Sequence, residues 1–364
     1  MGPRARPLAT MVLNPSFWAG RRVLITGHTG FKGGWLTAWL SLLGAQVHGY
    51  ALAASAPSLW HAARLSNLAP GTLADIGDSR QIAAAVTAFQ PSIVLHLAAQ
   101  PLVRASYAKP AETYATNVMG TVHLLEAVRH CPSVQAMVVI TSDKCYDNRE
   151  WPWPYREQDA LGGHDPYSSS KACVELLCAS WRSSFFASGG MQLATARAGN
   201  VIGGGDWSPD RLVPDAFRAW DRGETLTLRY PHAIRPWQHV LDPLHGYLLL
   251  AQALVERGSE AATAWNFGPD TEGVASVAEV VGQLATLRPS PAPWNFDMET
   301  PQPHEAGLLT LDSAKARRLL GWRPRWTLAQ TLERTVAWHS AWRAGTDMQV
   351  FTRAQIAAFQ DSVS

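Results

Sequence analysis

The chain has 364 residues, 47% of them hydrophobic, and a formal net charge of +2. That length suggests about two domains, or one large α/β unit with an appended lobe. So even a charge gives no electrostatic case for nucleic acid or an anionic membrane as the main partner, and an anionic ligand has to be held by local groups.

Residues 1–20 carry Arg4 and Arg6 but no continuous apolar run, so no signal peptide is expected. No apolar stretch reaches the length of a membrane span. From residue 23 two periods alternate. Short apolar runs at 23–25, 93–95 and 137–140 read as strands, and residues 34–43, 79–89 and 113–130 have helical spacing. Strand–helix alternation with unbroken apolar strands predicts a parallel sheet covered on both faces. Pro166 opens a helix to about Phe186. Residues 193–201 read as a strand ending in Gly203-Gly204-Gly205-Asp206. Beyond it the pattern loosens. Short strands are expected near 225–228, 265–268 and 306–311, among helices near 240–255, 277–287, 313–320 and 327–342. There is no internal repeat. Four scattered cysteines without a C-x-x-C pair argue against zinc or a disulfide framework and for a reducing compartment, so the expectation is cytoplasmic with no metal. The sixteen tryptophans include Trp151 and Trp153 in a Pro-rich stretch, read as loop packing or ligand walls.

Gly27-His28-Thr29-Gly30-Phe31-Lys32-Gly33 follows the first strand and opens a helix. Gly27 permits a tight turn, Gly30 lets a pyrophosphate approach the backbone, and Gly33 lets the helix pack on the strand. The helix N-terminus offers free N–H groups and a positive dipole end to phosphates. The expected fold is therefore α/β, a Rossmann-type doubly wound parallel sheet with a smaller mixed α/β C-terminal substrate lobe. Residues 17–203 would form the nucleotide-binding domain, with later segments crossing back, 204–345 the substrate lobe and 346–364 a tail. The second strand ends in Tyr50-Ala51-Leu52-Ala53, with neither the carboxylate that would hold an NAD ribose nor an Arg to favour NADP. Asp75-Ile76 stands where a following strand would end, to approach an adenine or to cap the next helix.

Tyr167 and Lys171 lie four apart on one helix face. A phenol with an ordinary pKa of about 10 is a poor base at neutral pH, and a neighbouring ammonium lowers it. The pair is a sensible proton acceptor for an alcohol being oxidised. It follows an apolar strand ending in Thr141-Ser142. For a diphosphate, the planar forks of Arg211 and Arg235 are suited, with the Asn200 amide beside them.

The glycine spacing, the Ser at a strand end and Y-x-x-x-K together resemble the extended short-chain dehydrogenase/reductases. The resemblance implies NAD as cofactor, Ser142 on the sugar 4-hydroxyl, Tyr167 as base, and Lys171 orienting the ribose and tuning Tyr167. It implies a cofactor-contacting turn at Ala98-Ala99-Gln100, supported by Asn117. Sugar-nucleotide dehydratases of that family carry an acid/base pair directly after the Ser. Asp143-Lys144 stands there, and its Asp-Lys form is similar to the CDP-glucose 4,6-dehydratases. So are the runs 28–33, 198–207 and 235–240. The likeness runs from about Phe17 to about Trp342. It implies CDP-glucose as substrate, a 4-keto-6-deoxy product, internal redox, Asp143 as acid and Lys144 as base. Trp237 and His239 would shape the base pocket, with His304 also on the substrate side, and a homodimer or dimer of dimers would form through helices 113–130 and 166–186. A UDP-sugar 4-epimerase needs no Asp143-Lys144 pair, and a silent NAD-binding regulator needs no Ser142, Tyr167 and Lys171.

Overall fold

The first strand shows why the sheet must be covered twice. In the computed structural model, which describes residues 11–187, 189–297 and 306–362, Arg22–Thr26 (β1) is buried from Val23 onward. Val23 and Ile25 point into one core and Leu24 into the other. The same alternation holds along the neighbouring strands, since successive side chains take opposite faces.

The remaining strands are Gln46–Ala51 (β2), Gly71–Leu73 (β3), Ile93–His96 (β4), Ala136–Ile140 (β5), Gln192–Ala198 (β6), Asn200–Ile202 (β7), Leu226–Leu228 (β8), Ile234–His239 (β9), Ala264–Phe267 (β10), Val274–Ser276 (β11) and Trp294–Phe296 (β12). Seven form a parallel sheet in the order β10-β6-β5-β4-β1-β2-β3. The crevice for a ligand in such a sheet lies beyond the strands' carboxyl ends, where the order reverses between β1 and β4.

The helices of ten residues or more are Phe31–Leu42 (α1), Ser79–Phe89 (α2), Gly120–Arg129 (α3), Pro166–Trp181 (α4), Leu212–Asp221 (α5), Leu241–Arg257 (α6), Val277–Thr286 (α7), Leu328–Arg343 (α8) and Met348–Asp361 (α9). Trp35 and Trp39 of α1 and Leu244 and Leu248 of α6 cover one sheet face, while Ile82, Leu124 and Val174 of α2, α3 and α4 cover the other. α1 carries buried side chains all round, as a helix inside a large core does.

The smaller lobe holds the sheet β11-β9-β7 and the pair β12-β8. Its own core gathers Phe217, Trp220, Trp237, Val280 and Leu332. β10 returns to the large sheet from within this lobe's sequence. The strand expected near 306–311 is reduced to two bridges, Leu308 to Ile234 and Leu311 to Tyr155. Nine of the sixteen tryptophans are buried, and six of these, Trp18, Trp35, Trp39, Trp265, Trp322 and Trp338, are fully so.

The segment expected as a tail contains a docked helix. Asp347 caps α9 by accepting from Gln349 N and Val350 N. Phe359 packs edge-on against Trp39 at 5.5 Å and Trp326 at 5.1 Å. Arg325 donates to the carbonyls of Phe359, Gln360 and Ser362, satisfying the helix C-terminus. Among the described residues no helix is long and apolar enough to cross a membrane.

Candidate active site

The glycine loop opens a cleft of about 910 Å³ at the sheet's carboxyl edge. Gly27 has φ +74°, and a Cβ there would stand 2.8 Å from Ala98 N. A Cβ on Gly33 would fall 2.1 Å from Gly27 O, so the helix can approach the strand only with glycine at both positions. Gly30 caps α1 without a side-chain bond, leaving the first amides of the helix directed at the cleft. The Thr26 hydroxyl accepts from Leu97 N and Ala98 N at 3.2 Å each, which fixes the facing turn 97–100. These observations fit a dinucleotide phosphate. At its adenosine end Asp75 and Ile76 line the cleft; Asp75 Oδ1 accepts from Gly77 N at 2.7 Å.

β5 delivers Ser142 to the cleft floor. Ser142 caps a short 3-10 turn, Asp143–Cys145, accepting from Lys144 N at 3.2 Å and donating to Asp143 Oδ1 at 3.0 Å. Asp143 is 2% exposed, and its Oδ2 is buried without a partner among the described residues. Burial raises the Asp143 carboxyl above its usual range, against Lys144, the Ser142 bond, Arg235 and Lys32. Lys144 lines the same cleft.

Asp165 and Pro166 start α4, the Asp165 carboxylate accepting from Ser168 N at 2.9 Å. Tyr167 and Lys171 follow on the face toward β5, both buried and both lining the cleft. The expected lowering of the phenol is not found. Burial pushes Tyr167 up to about 12, with the Ser142 hydrogen bond and Arg211 pulling the other way. Lys171 spends its ammonium on the Ile140 carbonyl at 3.2 Å, and burial lowers it to about 8. Lys32 is brought down to about 7 by burial, then by repulsion from Arg211 and Lys171.

On the opposite wall stand Asn200, Arg211, Arg235 and Trp237. Arg211 Nε is buried without a partner among the described residues, the state expected of a guanidinium awaiting an anion. Trp237 donates to Ala275 O at 3.0 Å, which fixes its ring.

Two expected contacts, His28 and His239, lie elsewhere. His28 does not line the cleft: its ring fills the space beside Gly49 and Gly71 and meets Trp60 edge-on at 4.7 Å. His239 is wholly buried, accepting from Leu241 N and packing on Trp326 at 4.6 Å, so it shapes a helix start rather than a base pocket. Asn117 sits behind the lining. It accepts from Gln100 N at 2.8 Å and donates to Gln100 O and to Ser170 Oγ, joining the cofactor-side turn to α4. His304 lies outside the described residues. Sequence reasoning missed Arg104, Asp206, Asp210, Arg229 and Tyr230, which also line the cleft. Only Asp206, ending the triple-glycine loop, had a local signal.

The family model for GDP-mannose 4,6-dehydratase matches residues 24–335. A CDP-glucose 4,6-dehydratase of Salmonella typhimurium is 49% identical, over 97% of this chain and all of that protein. A dTDP-glucose 4,6-dehydratase of Xanthomonas campestris is 26% identical over 87% of this chain and 92% of its own length. Among solved structures, a UDP-glucose 4-epimerase of Stenotrophomonas maltophila with bound NAD superposes with a TM-score of 0.77 at 23% identity, over 90% of this chain and all of that one. A dTDP-glucose 4,6-dehydratase of Streptomyces venezuelae with NAD bound gives 0.74 at 23%, over 90% and 99%. These two show the shared fold. With nearly half its residues in common with one full-length dehydratase and the family model spanning both lobes, the chain belongs to the GDP-mannose 4,6-dehydratase family, on its CDP-glucose 4,6-dehydratase branch.

Proposed function

We propose that this chain is an NAD-dependent CDP-glucose 4,6-dehydratase, forming CDP-4-keto-6-deoxyglucose and water. The observation that carries the reading is the turn Ser142-Asp143-Lys144. It presents a buried carboxyl with an orphaned oxygen and a lysine to the cleft that Tyr167 and Lys171 also line. The likeness to the Salmonella protein supports cytidine as the nucleoside.

The glycine loop and the turn at Ala98-Ala99-Gln100 would hold NAD, which would supply a reversible hydride acceptor for the sugar. Tyr167 takes the 4-hydroxyl proton, with Ser142 holding that oxygen. The resulting ketone acidifies the C5 proton, which Lys144 removes. Asp143 gives its proton to the 6-hydroxyl, which leaves as water. The carboxyl must be protonated for that step, and burial favours that form. Arg211, Arg235 and Asn200 hold the diphosphate, with residues 17–203 binding NAD and 204–345 the nucleotide sugar. The four cysteines are free thiols, which fits a reducing cytoplasm. Tyr114, Met119, Leu176 and Phe185 are exposed on the helices at 113–130 and 166–186, and we assign that apolar face to a homodimer.

Incubation with CDP-glucose, UDP-glucose and dTDP-glucose tests the reading. A 4-keto-6-deoxy product from CDP-glucose, seen by its absorbance in alkali, is expected. A C4 epimer, or no turnover of any of the three, would overturn it.

A further inference from the structure

The end of β5 is bound to α4 by two consecutive residues, and the next faces it. Ile140 offers its carbonyl to Lys171 at 3.2 Å. Thr141 donates its hydroxyl to Glu175 Oε1 at 2.5 Å. Ser142, whose own proton goes to Asp143, stands close enough to Tyr167 to pull its phenol down. Tyr167, Lys171 and Glu175 stand at i, i+4 and i+8, one face of one helix. Two of them are already in the proposed chemistry. Glu175 is not.

Glu175 is 2% exposed, and every oxygen of its carboxylate is engaged. Oε2 accepts from Thr195 at 2.7 Å and from Arg197 Nη2 at 2.8 Å. Arg197 then reaches the far side of the Ser142–Cys145 turn, donating from Nη1 to Tyr146 Oη at 2.7 Å. Tyr146 donates on to Asn266 at 2.8 Å. One buried ion pair therefore grips the strand entering the turn, at Thr141, and the residue leaving it, at Tyr146. A buried pair of this kind is a poor source of stability, because desolvation offsets most of the attraction. Its persistence here calls for another use.

We propose that Glu175 is a positioning residue: its carboxylate, one helical turn beyond Lys171, keeps that lysine an ammonium, while its partner Arg197 seats the Asp143-Lys144 turn. The inference rests on the dehydratase reading for its consequence, though not for its first measurement. The groups around Lys171 leave Glu175 as the counter-charge. Cys145 and Cys178 are buried thiols pushed above their ordinary range, hence neutral. His96 on β4 is neutral, lowered by burial to about 3. Lys32 on α1 and Lys171 repel each other. Burial lowers Lys171 to about 8, and Glu175 is the largest influence raising it. Without that charge Lys171 loses its proton at still lower pH, and the cleft loses the cation one helical turn from Tyr167.

The test is Glu175→Gln, which keeps the acceptor toward Thr141 and removes the charge. Trace acetylation of the full chain across pH, with Lys171 followed by mass spectrometry, reads the lysine's titration without any turnover. Its midpoint should fall by about one pH unit or more, the effect of an opposite charge within ~4–6 Å. In turnover of CDP-glucose, the alkaline limb of kcat should move down with it, so the variant loses far more activity at pH 8.5 than at pH 6.5 (roughly tenfold more for one unit). Glu175→Asp should lower kcat while leaving that limb in place. If Glu175→Gln fails to fold because Arg197 is orphaned, the double variant Glu175→Gln/Arg197→Met removes both charges and should still lower the midpoint, by less than the single variant because the repulsion from Arg197 goes too. An unchanged Lys171 midpoint in the folded variant overturns the proposal. A shifted midpoint in a protein that turns over none of the three sugar nucleotides upholds it and overturns the dehydratase reading alone.

Discussion

The Ser142 hydroxyl donates to Asp143 Oδ1 at 3.0 Å, while the other oxygen of that carboxyl is buried without a partner among the described residues. In the proposed reaction Ser142 serves the oxidation step and Asp143 the elimination that follows. The two halves of the reaction share a hydrogen bond but not a proton, so they separate by mutation. Asp143→Asn retains the volume and the bond to Ser142 but has no acidic proton. It should lower dehydration by ~10²–10⁴-fold, the usual worth of a positioned acid. Lys144→Met should stop dehydration and leave substrate-dependent reduction of bound NAD intact. Stopped-flow absorbance of NADH, set beside the alkali assay of product, checks both. Equal loss of the two signals would remove Asp143 and Lys144 from the elimination step.

The glycine loop carries a second constraint outside the cleft. A Cβ on Gly49 would stand 2.1 Å from the His28 ring, and one on Gly71 2.6 Å from it. Gly49→Ala should therefore destabilise the fold by about 1–3 kcal/mol through overpacking. His28→Ala opens the same space at its own cost. The double variant should be more stable than the sum of the two singles predicts, because the clash is then gone. Denaturant unfolding of the four proteins measures the coupling, and simple additivity would place the His28 ring elsewhere.

Where a side chain's role follows from a repeating pattern, the sequence was readable. β1, β4 and β5 are unbroken apolar runs because both faces are covered, and Gly27 and Gly33 mark a close approach that only glycine allows. The Tyr167–Lys171 spacing fixes their shared face before any fold is known. His28 and His239 were read as ligands because they sit inside family-like motifs, yet motif membership does not say which way a ring turns. Both point into the core. Arg104, in a short helix, and Asp210 and Arg229, in loops, converge on the cleft from distant parts of the sequence, and no local pattern marks such a meeting. α9 lies in the segment expected as a tail, and its core-facing apolar positions are Met348, Ile356 and Phe359. Their partner is the Trp39 face of α1, some three hundred residues away.

That docking makes α9 a stabilising element. A chain ending after residue 346 would uncover Trp39 and Trp326 and leave Arg325 without its three carbonyl acceptors. Deleting contacts of two or three buried apolar side chains costs several kcal/mol, at about 1.5–3 kcal/mol for each. The truncated protein should melt markedly lower, with a larger exposed tryptophan fluorescence. An unchanged melting temperature would mean that α9 does not hold the core closed.

Acid should unfold this protein early, and the reason lies in its buried histidines. Burial holds His28 at about 4 and His96, His239 and His245 each at about 3, all below the ordinary 6.5. The folded state therefore binds fewer protons than the unfolded state between those values. The stability these four histidines contribute is fully present above pH ~6.5 and falls as the medium is acidified toward pH ~3–4, with the buried Asp242, raised to about 7, offsetting the share of one of them. Each group contributes up to about 1.4 kcal/mol per pH unit in that window. Thr26 and Thr121 flank His96 at 2.6 and 3.0 Å, and the Thr121 hydroxyl donates to Asn117 O, so His96 is the neutral Nε2–H tautomer with no room for a second proton. Replacing it with Gln, which keeps a donor and an acceptor, should flatten the dependence of melting temperature on pH between 6.5 and 4 even if it lowers the melting temperature itself. If the slope in that range is as steep for His96→Gln as for the parent chain, the buried imidazole is not the group whose protonation drives unfolding.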